Sequence, residues 1–181
     1  MKKYHIKARQ HWEDFSYQGK NYSLSHFEVH EVTFKGNKDT HKFVVTYGLH
    51  CFAKNGQENS INLCYSDEFE TREIDLERYF ASKQIRHCVE TLDKQKLLYE
   101  TTKEKYFTFE SVNSLSGYPE KYKVCLCIFK ENRLLRIHVT SAFFDRENKP
   151  VPNKHYTIFK LAMDAKRRPR GKVIPKEASR K

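Results

Sequence analysis

No apolar run in the sequence approaches the ~20 residues that cross a bilayer as a helix. Glycine is scarce, with six in the chain, and neither a phosphate-cradling Gly-rich loop nor a Rossmann fingerprint can be assembled from them. No Cys-x-x-Cys pair occurs. The five cysteines are irregularly spaced, which fits reduced, mostly buried thiols in a reducing compartment rather than a disulfide framework. "MKKYHIKARQHW" opens with lysines, but no apolar stretch follows, so a signal peptide is not expected and a cytoplasmic location is.

Positive charge and aromatic rings are abundant instead. Lys and Arg number 34 against 23 Asp and Glu, giving a formal charge of +11. Such an excess attracts polyanions, and RNA, DNA and anionic membranes are all candidates; RNA is the expected partner, with an acidic protein as the other. Thirteen Phe and 11 Tyr argue against disorder. The length of 181 residues fits one domain. We expect a single α+β domain over 1–165 and a basic, flexible tail over 166–181.

Strand patterns occur at "FEVHEVTF" (27–34), "HKFVVTYGLHCFAKN" (41–55), "INLCY" (61–65) and "KYFTFES" (105–111). Gly36 to Asp39 reads as a turn. Between Asp75 and Lys94 the spacing of Ile85, Cys88, Val89 and Leu92 is helical, with Ser82 as a candidate N-cap that divides two short helices. "YKVCLCIFK" (122–130) and "RLLRIHVTSAFF" (133–144) form a hairpin joined through Glu131-Asn132. "HYTIFKLAM" (155–163) reads as an edge strand. The expected fold is α+β: an antiparallel sheet of about six strands packed against one or two helices.

The hairpin register predicts two faces. Val124, Leu126, Ile128, Leu135, Ile137 and Val139 form an apolar stripe, while Lys123, Cys125, Cys127, Arg136, His138 and Thr140 form a polar one. In that register Cys125 faces His138, and Lys123, His138 and Thr140 nearly touch. Imidazole, cations and a hydroxyl on one face suit a phosphodiester, because metal-free RNA cleavage needs an acid, a base and nearby positive charge. His50, beyond Gly48 at the end of its strand, is the second histidine this chemistry would use. A polar sheet face is equally what solvent or a covering helix produces.

Cys125 and Cys127 alternate along one strand and lie too far apart for most tetrahedral zinc sites, so no metal and no cofactor are expected. The acidic run "SDEFETREIDLERYF" (66–80) reads as a solvated approach to a helix in which Arg72 and Arg78 pair with the acids. Aromatics interleave with cations at "KEKYFTF" and "YPEKYK", and Lys166, Arg167, Arg168, Arg170 and Lys172 form a candidate phosphate-binding arm.

"RIHVTSAFF" resembles the last core strand of the barnase, EndoU, colicin and RelE-like ribonuclease toxins of bacteria and their mobile elements, through Arg136, Ile137, Ser141 and Ala142. The resemblance implies a metal-independent endoribonuclease, a toxin or phage-defence effector with an acidic antitoxin as partner. His50, His138, Lys123, Arg136 and Thr140 would be its catalytic set. The alternatives are a non-catalytic RNA- or DNA-binding module and a basic interaction subunit; no membrane partner is expected.

Overall fold

A computed structural model describes residues 2–5, 12–37, 39–54, 62–67, 70–94, 96–102, 105–113, 119–131, 133–147, 150–167 and 178. Its elements are β1 (Lys2–His5), β2 (Phe15–Tyr17), β3 (Lys20–Tyr22), a 3-10 turn (Ser25–Phe27), β4 (His30–Lys35), β5 (Thr40–His50), β6 (Ala53–Lys54), β7 (Leu63–Ser66), β8 (Thr71–Ile74), α1 (Leu76–Ser82), α2 (Ile85–Glu90), β9 (Leu98–Thr102), β10 (Lys105–Asn113), β11 (Pro119–Glu131), β12 (Leu134–Phe144), β13 (His155–Tyr156) and α3 (Ile158–Arg167). No helix among the described residues is long and apolar enough to cross a membrane.

The main sheet has seven strands in the order β13-β9-β10-β11-β12-β5-β4. It is mixed, because β12 runs parallel to β5. The expectation of about six antiparallel strands is corrected on both counts. The segment "INLCY" does not extend this sheet: β7 pairs with β1 and β8 in a second sheet of four strands, ordered β1-β7-β8-β6. The expected turn between β4 and β5 is present, with Gly36 N donating to Asp39 O at 2.8 Å.

Among the described residues three helices, not one or two, pack on the apolar stripe. Asp75 caps α1, its carboxylate accepting from Arg78 N at 3.0 Å, while Ser82 is the last residue of α1 rather than a cap. The segment 155–163 is an edge strand only at His155–Tyr156. From Ile158 the chain is helical, because Ile158, Leu161, Ala162 and Ala165 recur at helical spacing and all four are buried. Phe43, Val45, Tyr47, Leu49, Leu126, Ile128, Leu135, Ile137, Val139 and Ala142 join the helices in one continuous core.

The hairpin confirms both predicted faces but not the predicted register. Glu131 pairs with Leu134 and so belongs to the strand rather than to the connection, and Cys127 rather than Cys125 lies opposite His138. As far as Val139 the displacement is by two residues, which leaves those side chains on their faces; beyond it the displacement is three. A bulge then leaves Thr140 unpaired between the Leu126–Val139 and Cys125–Ser141 pairs.

Candidate functional site

The polar face of the main sheet divides into a sealed half and an open half. In the sealed half Arg136 is 0% and His138 is 2% exposed. Arg136 Nη1 meets the Glu131 carboxylate at 2.5 Å, and its Nη2 donates to Thr46 Oγ1 at 2.9 Å. The same hydroxyl shares a hydrogen bond of 2.9 Å with His138 Nδ1, so Thr46 joins the guanidinium to the imidazole. The guanidinium also lies 5.2 Å from the Phe129 ring centroid. Phe129 and Cys127 are buried together with Ala178. Neither Arg136 nor His138 is therefore offered to a phosphate from solvent.

Gly48 separates this half from the open one. A Cβ at Gly48 would meet Thr140 O at 3.1 Å and His138 Nε2 at 3.3 Å, so any side chain there would crowd the imidazole and the β12 backbone. His138 pairs with Thr46 on β5, four residues before His50. That places the two histidines roughly 13 Å apart along the strand and excludes their joint action on one phosphate. Lys123 lies opposite Phe143 and Thr140 Oγ1 donates to Cys125 O at 3.2 Å, so neither residue meets His138 as the predicted register required.

The open half consists of two rows that follow from the strand register. His50, Ser141, Cys125, Phe107, Tyr99 and His155 are successive partners across β5, β12, β11, β10, β9 and β13. The adjacent row is Phe143, Lys123 and Phe109. The Lys123 ammonium lies 4.2 Å from the Phe107 centroid and 5.9 Å from that of Phe109, and Lys121 lies 5.8 Å from Phe109. Arg78 stands 5.4 Å from the Phe143 centroid. Phe109, Lys123 and Phe143 are each partly exposed. The sequence showed aromatics among lysines; only the register reveals that they alternate across strands on one face.

His50 ends the first row as a polar centre of its own. Its Nε2 meets Glu70 Oε1 at 2.5 Å. Glu70 Oε2 accepts from Arg72 Nε at 2.7 Å and lies 2.5 Å from Arg72 Nη2. Burial raises the Glu70 pKa, but the hydrogen bonds from Arg72 and His50 outweigh it and hold the carboxyl below its ordinary value. Sequence reasoning took Glu70 as one acid in a solvated run, because nothing local connects it to His50. The expected pairing of Arg72 with an acid is observed; Arg78 instead donates to the backbone oxygens of His50 at 3.1 Å and Ala53 at 3.5 Å. Burial pushes the Cys125 thiol up despite the Ser141 hydroxyl and Lys123, which keeps it protonated. Among the described residues no group of three or more His, Cys, Asp or Glu is placed to hold a metal ion.

Of the predicted basic arm, Lys166 and Arg167 are the exposed last residues of α3. Arg168, Arg170 and Lys172 lie outside the described residues.

A sequence model described as the YjaZ family matches residues 14–166, which include both rows and the His50–Glu70 pair, and the chain belongs to that family. Protein YjaZ of Escherichia coli strain K12 is 27% identical over 159 residues, covering 81% of this chain and 88% of that protein. No solved structure matches the chain.

Proposed function

We propose that this YjaZ family member binds single-stranded RNA on the open half of its sheet face. The observation that carries the reading is the placement of Lys123 between Phe109 and Phe143 in one row, with its ammonium over Phe107. Phe107 is 4% exposed beneath the ammonium, so an unpaired base reaches its ring by displacing the lysine, which then meets the adjacent phosphate. Stacking of this kind contributes about 1–3 kcal/mol per base and tolerates any sequence. The formal charge of +11 supplies the long-range attraction. The tail cations Lys166, Arg167, Arg168, Arg170 and Lys172 add phosphate contacts beyond the sheet. The cytoplasm, which holds both RNA and reducing thiols, is the compartment this reading assigns.

Binding is favoured over the predicted five-residue cleavage site because Arg136 and His138 are already committed to Glu131 and Thr46 inside the fold. The test is fluorescence anisotropy of a labelled single-stranded RNA across a salt series. The reading predicts steeply salt-dependent binding that weakens at least tenfold in Phe109→Ala and in Lys123→Glu, at unchanged thermal stability. Absence of binding at low salt, or equal binding by both variants, would refute it.

A further inference from the structure

We propose that Ser141 is the nucleophile of an acyl-transfer site in which His50 is the base and Glu70 the group that orients it, with a small carboxylic ester as the class of substrate. This inference is independent of RNA binding. It stands on three placements.

Ser141 is the register partner of His50 on the neighbouring parallel strand, so their backbones lie roughly 5 Å apart and their side chains share a face. The imidazole is held at one nitrogen only: Nε2 meets Glu70, and no described residue bonds Nδ1. With the Nε2 proton directed at the carboxylate, the lone pair of the neutral ring is at Nδ1. The ring is 35% exposed, so this lone pair is accessible to a substrate. Glu70 is fixed in turn by two contacts from Arg72, which is itself 18% exposed. Nucleophile, base, and a third group that orients the base are the parts that hydroxyl activation requires.

The reaction is balanced without further reagents. Ser141 Oγ attacks the ester carbonyl carbon while its proton passes to His50 Nδ1. The carbon–oxygen bond to the alcohol then breaks, and the alcohol leaves with that proton. Water, deprotonated by the same nitrogen, attacks the acyl carbon; the bond to Ser141 Oγ breaks, the proton passes from Nδ1 to Oγ, and the carboxylic acid is released. Cys125, the other partner of Ser141, competes poorly because burial keeps its thiol protonated.

The experiment treats the full chain with p-nitrophenyl acetate, follows p-nitrophenol release, and maps the acetylated residue by mass spectrometry. Acetyl on Ser141, with release slowed at least 100-fold in Ser141→Ala and in His50→Gln, is the expected result. Glu70 acts through the imidazole and is a positioning residue. Glu70→Gln should therefore lower kcat with KM little changed, as the ring loses its orienting carboxylate, and Glu70→Asp should restore kcat. Unchanged melting temperatures separate these effects from unfolding. Acetyl on Cys125 or on surface lysines alone, or release unaffected by His50→Gln, would overturn the proposal.

Discussion

Arg136 and Glu131 form an ion pair at 2.5 Å within the β11–β12 hairpin, with the arginine side chain 0% and the glutamate 7% exposed. The pair fixes the hairpin from inside, and Thr46 ties it to the parallel strand β5. Its charges are shielded from solvent and from salt.

Removing one partner leaves the other charge buried and uncompensated. Glu131→Ala should therefore destabilise the fold by about 3–5 kcal/mol. Urea denaturation of the variant against the parent chain measures this, and the loss should be nearly independent of salt.

The contact of the Gly48 backbone with the hairpin makes a second prediction. Gly48→Ala places a methyl against the backbone oxygens of Thr140 and Val139 as well as against His138 Nε2. The carbonyls cannot withdraw as a flexible side chain could. A loss of about 1–3 kcal/mol is expected, and chemical denaturation measures it.

His26 gives a pH dependence. Burial, and then the nearby Lys83 ammonium, lower its pKa from 6.5 to about 3. Its Nε2 lies 2.7 Å from Ser82 Oγ and its Nδ1 3.2 Å from Lys83 Nζ, an arrangement suited to the neutral ring. The folded value is the lower one, so the unfolded chain binds this proton first. The stability conferred by the neutral ring is complete above pH 6.5 and is lost as the pH falls towards 3. Glu70, also held below its ordinary value, loses stability in the same direction. His26→Gln should flatten the decline between pH 6.5 and 4.5, where Glu70 contributes least; urea midpoints at these two pH values provide the comparison.

The two hairpin stripes were legible in the sequence because strand alternation survives a register error of two residues. The error itself arose at the turn, because Glu131 is a strand residue paired with Leu134 and not part of the connection. The bulge at Thr140 leaves no sequence signature, yet it brings Ser141 opposite Cys125 and beside His50. The expected catalytic row along β12 assumed unbroken alternation from Arg136 to Thr140, and the bulge interrupts it after Val139. Helix α3 was hidden because Tyr156, Ile158 and Phe159 favour strands, while two of its four buried positions are alanines with little hydropathic weight. The parallel pairing of β5 with β12 joins segments about 90 residues apart and is invisible to local pattern reading. The same is true of His50 and Glu70, which meet because the strand end and the approach to β8 converge.

The most direct measurement is ultraviolet cross-linking of the full chain to a uridine-rich single-stranded RNA, with the attached peptides identified by mass spectrometry. The account predicts cross-links at Phe107 or Phe109 and at Phe143, on strands that share the Lys123 row. Cross-links confined to residues 166–181, with none on β10, β11 or β12, would contradict it and assign the RNA contact to the basic tail alone.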